Sequence, residues 1–179
     1  MNEPAERTVV GAAVRAQIAT SPEQLWAIVA DVSRHPELAG SGEPQETRLE
    51  GSGPIGVGSR FESKQRAMGM PYRSHSEVTA CEPPRLLRWV TDGSVTWEFR
   101  FEPDGQGGSR VLHGYQWSVG GPGVVRAIFG PLLDWRNRQN ARGMVASVRN
   151  LARLAGRPEP SGLEVSWAPP PEDSEQRAG

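Results

Sequence analysis

From residue 44 to residue 119 the chain alternates with period two, in segment after segment, between a charged side and an apolar or mixed one. In "SRFESKQRAM" (59–68), Phe61, Ser63, Gln65 and Ala67 oppose Arg60, Glu62, Lys64 and Arg66. In "SVTWEFRFEP" (94–103), Val95, Trp97, Phe99 and Phe101 oppose Thr96, Glu98 and Arg100. Successive side chains of a strand point to opposite faces, so this pattern builds strands with one wet side and one covered side. "DG" at 92–93 and "DGQGGS" at 104–109 are hairpin signals between them. The expected architecture is an antiparallel sheet, about six to seven strands wide, whose inner face needs a cover.

The following segment supplies it. Val125, Ile128, Phe129, Leu132, Leu133, Met144, Val148 and Leu151 recur at helical spacing, and Gly156 followed by Pro158 ends the run. "FGP" at 129–131 is expected to kink this helix or split it. Before the sheet, "TVVGAAVRAQIAT" (8–20) alternates as a strand, and "SPEQLWAIVADVSRH" opens like a helix, with Ser21 at the cap and Pro22 in the first turn. "HPELAGSG" adds a second short helical turn. The fold class is α+β: a curved antiparallel sheet around a long C-terminal helix, with two short helices after the first strand. One domain is expected over 8–156, with a flexible N-terminus at 1–7 and a Pro-rich, flexible tail at 157–179. Trp167 in that tail either docks on the body or is solvated, and solvation is the expectation.

Several function classes drop out. A net charge of −1 without a basic cluster argues against nucleic acid and anionic membrane surfaces. "MNEPAERTVV" has no signal-peptide pattern and no apolar run reaches bilayer length, so a cytoplasmic protein without membrane insertion is expected. The lone Cys81 excludes an internal disulfide and a multi-cysteine metal site. His35, His75 and His113 are far apart and no pair has metal-ligand spacing, so no metal is expected. "GSGPIG" (51–56) spells a dinucleotide fingerprint, but a strand follows it where a helix N-terminus is required. It reads as a hairpin at a cavity rim, and no cofactor is called for.

"RVLHGYQWSV" (110–119) puts His113, Tyr115 and Trp117 on one face with Val111 and Val119. A plain core favours aliphatics; an apolar face with polar tips suits a cavity wall. His113 and Tyr115 are the candidate catalytic pair, since imidazole moves protons near neutral pH and a phenol can hold a developing oxyanion. Both can equally be ligand contacts without chemistry, or structural. Gln65, Ser76, Trp89, Trp97, Trp117 and Trp135 are candidate cavity residues, together with Arg136 and Asn140 of the helix. Arg136 either meets a ligand carboxylate or enolate, or pairs with Asp134 or solvent.

"SPEQLWAIVADVSRHPEL", "GVGSRF", "EVTACEPPRLLRW", "TWEFRFEPDGQGGSRV" and "GMVASVRNLARLA" resemble the START-related SRPBCC superfamily, in its bacterial polyketide cyclase/dehydratase-like branch, over roughly residues 8 to 155. The resemblance implies the helix-grip fold and a deep cavity between sheet and helix. It implies no shared catalytic residue. Two functions of different class follow as expectations: a cyclase or dehydratase acting on a polyketide-like or aromatic ligand, or a non-catalytic carrier, sensor or sequestering protein for a lipid-like metabolite. An interaction module without a ligand is the third. The expected partner is a small hydrophobic molecule, and the protein is expected as a monomer or homodimer.

Overall fold

A computed structural model describes residues 8–67, 69–119 and 123–168. Strand β1 (Thr8–Ile18) leads to helix α1 (Pro22–Ala30), a short 3-10 turn (Val32–Arg34) and helix α2 (His35–Leu38). Six strands follow: β2 (Pro44–Leu49), β3 (Arg60–Ala67), β4 (Met70–Glu82), β5 (Leu86–Thr91), β6 (Val95–Pro103) and β7 (Ser109–Val119). Helix α3 (Gly123–Leu154) and strand β8 (Ser161–Ser166) are the last of the described elements. All eight strands form one sheet in the order β2-β3-β4-β5-β6-β7-β1-β8, and every neighbouring pair is antiparallel.

The alternation read from the sequence sets the faces. Ala12, Val14, Phe61, Val78, Phe99 and Val111 are buried beneath α3, which contributes Met144, Val148, Leu151 and Ala152 to the same core. Each large aliphatic or aromatic side chain so buried stabilises the fold by about 1.5–3 kcal/mol. Polar contacts fix the helix in place. Asn137 Nδ2 donates to the Gly11 carbonyl at 3.3 Å and Asn150 Nδ2 to the Leu38 carbonyl at 3.3 Å. The Gly40 amide donates to Ser147 Oγ at 2.9 Å.

Three details depart from the sequence-based expectation. The sheet has eight strands because Ser161–Ser166, inside the segment expected to be a flexible tail, pairs with β1 (Val14 opposite Val165). Backbone pairing along an open edge holds it despite the flanking prolines, while Trp167 beyond it is exposed. Residues 1–7 and 169–179, the remainder of the expected flexible ends, lie outside the described residues. Helix α3 runs unbroken through Pro131; the side chains of Val125, Ile128 and Phe129 lie outside the described residues. Lastly, the outer face is not wet throughout. Glu98 and Arg100 are 1% and 3% exposed; Glu98 accepts from Arg88 Nε and Arg100 Nε, both at 2.8 Å. Gly114 stands opposite Glu98 on β7 and brings no side chain.

Gly40 sets how closely α2 can approach α3. A methyl group there would lie 2.3 Å from both the Ala146 Cβ and the Gly143 carbonyl oxygen, and 2.6 Å from the Ser147 nitrogen. Backbone cannot yield as a flexible side chain does. Gly40→Ala is expected to destabilise the fold by about 1–3 kcal/mol, read as a lower midpoint in urea denaturation. An unchanged midpoint would mean that α2 is not seated on α3 in this way.

Candidate functional site

Between the sheet and α3 lies a cavity of about 140 Å³. An apolar cavity of about 150 Å³ is enough to take up benzene, so one aromatic ring fits within it and a larger molecule extends through its mouth. Strand alternation aims two different walls into it. One is aromatic, made of Phe61, Trp89, Trp97, Phe99 and His113; the other carries Ser63, Gln65, Ser74, Ser76 and Thr91. Arg136, Asn140, Gly143 and Ser147 roof the space as a single stripe of α3, at the spacing that keeps side chains on one helix face. Glu43 and Pro44 border it from the chain entering β2.

The hydroxyl wall is internally paired. Ser76 Oγ and Thr91 Oγ1 are 2.9 Å apart, Thr47 Oγ1 and Ser63 Oγ are 3.0 Å apart, and Gln65 Nε2 donates to Ser74 Oγ. Tyr72 donates its hydroxyl proton to Gln65 Oε1 at 3.0 Å. Cross-strand pairs of this kind stabilise a sheet modestly, and each hydroxyl keeps capacity for another partner.

His113 lies flat on Phe99, with ring centroids 3.9 Å apart and an interplanar angle of 6°. Its Nδ1 is 3.0 Å from the Glu98 carbonyl oxygen. A carbonyl only accepts, so Nδ1 carries the proton and Nε2 keeps its lone pair. Burial pushes the imidazole pKa down to about 4, and the bond to Glu98 opposes that only in part. His35 lines the same cavity. Its Nε2 donates to the Val29 carbonyl at 2.9 Å, and its ring meets Phe61 edge-on at 5.6 Å and Trp89 at 5.4 Å. Burial lowers its pKa too. Both imidazoles are therefore neutral at physiological pH, and each is locked in one tautomer.

The other sequence candidates divide. Gln65, Ser76, Trp89, Trp97, Arg136 and Asn140 border the cavity with His113. Tyr115 does not. It is buried beside Trp97, its cross-strand partner, ring centroids 4.9 Å apart, and its hydroxyl makes no well-formed hydrogen bond. Burial raises its pKa, with neighbouring Asn140 and Arg136 opposing. Trp117 packs half-buried against the core, away from the cavity lining. Trp135 is 46% exposed on α3, because a helix one residue on has turned by about 100°. Arg136 pairs neither with Asp134 nor with solvent alone: it holds Glu43 through two bonds, Nη1–Oε1 at 2.9 Å and Nη2–Oε2 at 3.1 Å.

Sequence reasoning missed His35, Glu43, Ser63, Ser74 and Thr91 as cavity residues. Ser63 and Ser74 shared strand faces with Gln65 and Ser76, so the signal for them was present. Nothing local marks His35 or Glu43, which reach the cavity from helix and loop. "GSGPIG" forms a loop between β2 and β3, and its Gly53, Pro54 and Ile55 border a second, more open hollow with Trp26 and Val32. The cavity rim is elsewhere. Among the described residues no group of three or more His, Cys, Asp and Glu is placed to hold a metal, and no helix is long and apolar enough to cross a membrane.

The family described as polyketide cyclase / dehydrase and lipid transport matches residues 10–156. The uncharacterized protein Rv0088 of Mycobacterium tuberculosis is 34% identical over 136 residues, which make up 76% of this chain and 60% of that protein. The chain thus spans about 60% of the length of this curated relative. Among solved structures it is similar to the di-domain ARO/CYC protein StfQ from the steffimycin biosynthetic pathway (TM-score 0.66, 12% identity, 83% of this chain and 51% of that one). It is also similar to norcoclaurine synthase from Thalictrum flavum (TM-score 0.60, 12% identity, 83% and 87%). At such identities the likeness concerns the fold.

The pKa of His113 has a measurable consequence. Its folded value, about 4, lies below the ordinary 6.5. As pH falls below 6.5 the unfolded chain binds a proton that the folded chain refuses until about 4. The stabilisation is therefore complete above the unfolded value and is lost as pH drops through this window. Between pH 7 and pH 5 the loss from this residue is about 2 kcal/mol, and His35 adds to it in the same direction. Denaturant unfolding at both pH values checks this, with His113→Gln expected to show a shallower dependence. An NMR titration of the His113 ring with a midpoint near 6.5 would refute the assignment.

Proposed function

Because the chain belongs to the polyketide cyclase / dehydrase and lipid transport family, we propose that it binds a small, largely apolar, aromatic or polyketide-like molecule between the sheet and α3. The observation that carries this reading is the two-sided cavity: aromatic rings on one wall, paired hydroxyls on the other, and a polar helix stripe above. Flat rings would stack against Trp89 and Trp97, with polar substituents meeting the serine and threonine side. The cytoplasm and a small-molecule partner are part of the same proposal.

A catalytic version is favoured by one further observation. His113 is held in a single tautomer by the Glu98 carbonyl, and only Nε2 is left to exchange a proton. Cyclisation of a poly-β-ketone needs a proton removed from an activated carbon, and dehydration needs one delivered to a departing hydroxyl. A shaped cavity supplies the rest by holding the chain folded. An imidazole of pKa about 4 is a weak base and a strong acid, so it suits a ligand whose C–H is already acidic. Tyr115, packed beside Trp97 and outside the lining, supports that ring and takes no part in the proton transfer. Without turnover, the same cavity serves a carrier or sensor.

Two measurements run in parallel test the proposal. Polycyclic aromatic compounds are expected to quench tryptophan fluorescence saturably, and Trp97→Ala to weaken binding by roughly ten-fold or more. A panel with no saturable response would end the ligand-binding reading. If product forms, His113→Gln should slow it by roughly 10²–10⁴-fold while affinity changes little, and Tyr115→Phe should leave it nearly intact. Binding without any turnover identifies the carrier, and equal turnover in His113→Gln removes this histidine from the chemistry.

A further inference from the structure

The polar groups around the cavity are unusual in what they lack. Four of its lining residues can carry charge: His35, Glu43, His113 and Arg136. Glu43 and Arg136 satisfy each other through two bonds at 2.9 and 3.1 Å, so neither calls for a ligand of opposite sign. Each histidine spends its one N–H on a main-chain carbonyl, His35 on Val29 and His113 on Glu98. What remains on each ring is a lone pair, which accepts a hydrogen bond and offers none.

From this arrangement we infer that the cavity selects an uncharged molecule bearing hydroxyl or N–H donors at two separated points, one received by His35 and the other by His113. The inference rests on the cavity being a ligand site and names the class of ligand it takes. The two rings reach it from different elements, α2 and β7, with Trp89 and Phe99 stacked between them at 6.4 Å. Phe99 lies against His113 and Trp89 against His35. A flat molecule lying along that aromatic strip has an acceptor near each end. A carboxylate or phosphate placed there would face lone pairs and give up its hydration, while the charge of the one guanidinium in the lining is already matched by Glu43. A cation would find Glu43 already engaged. The serine and threonine hydroxyls are compatible with neutral groups of either polarity.

Isothermal titration calorimetry at pH 7 with three related single-ring probes, sized to the cavity of about 140 Å³, tests the claim: benzene-1,4-diol, its dimethyl ether, and 4-hydroxybenzoate. The diol should bind. The ether, which leaves both imidazole acceptors unmatched, should bind at least about ten-fold more weakly, and the carboxylate should be weaker still. In His35→Phe, which keeps an aromatic ring against Phe61 and Trp89, the diol should lose most of its advantage while the ether's affinity stays nearly constant. A purely structural role for His35 would weaken both probes alike. Should that variant not fold, His113→Phe and the discrimination by the native protein decide the matter.

Equal or tighter binding of the carboxylate overturns the inference and leaves the ligand-site reading standing. So does equal binding of diol and ether. If none of the three binds while polycyclic compounds quench the tryptophans, the two-donor ligand class is wrong. If no compound binds by either method, the ligand site itself falls and this inference with it.

Discussion

A sheet with one apolar face is stable only when that face is covered, and here a single long helix covers strands that run from six to thirteen residues. The C-terminal half of α3 does so closely, with Met144, Val148 and Leu151 almost wholly buried. Further toward its N-terminus the inward stripe changes to Arg136, Asn140 and Gly143, side chains that are polar or absent. The helix therefore seals one end of the sheet and bridges the other. The cavity is the space that this change of side chains leaves unfilled, and the walls, roof and mouth all follow from it.

How much of this was legible depended on distance along the chain. Period-two alternation is a local signal, so it placed Trp97 and His113 inward and carried Gln65 and Ser76 with them. It says nothing about how far along a strand the cavity extends, which is why Trp117 and Tyr115 share the face of His113 without bordering the space. Helical phase failed for Trp135 for a related reason, since one position separates a roof residue from an exposed one. His35 and Glu43 were hidden because they arrive from a short helix and from a loop whose paths the sequence does not declare. Strand β8 was hidden by the prolines that flank it: its residues gain partners along β1 that no pattern within them advertises.

Charge was misread in one consistent way. Glu98 and Arg100 look like solvent-facing residues in an alternating strand, and Arg136 looks like a candidate for an anionic ligand. In the folded chain these groups are matched to opposite charges on the same strand, on the neighbouring strand, or in the loop before β2. Pairing offsets part of the cost of burial and leaves the group less able to attract a charged molecule. The histidines are treated similarly, since each is held to a carbonyl in the neutral state. A cavity bordered by ionisable residues thus offers a ligand almost no net field.

Glu98 belongs to both sides of the sheet at once. Its carboxylate is gripped by two arginines on the outer face, and its carbonyl oxygen holds the His113 ring that borders the cavity. Wear or redesign of the outer surface at this point would be felt inside, through a small shift or rotation of β6. The hydroxyl wall on β3 to β5 has no such tether, as its pairs lie wholly among inward side chains. Anyone adapting this scaffold to a new molecule could recut that wall one residue at a time, while the imidazole wall and the ion cluster behind it would have to be inherited together.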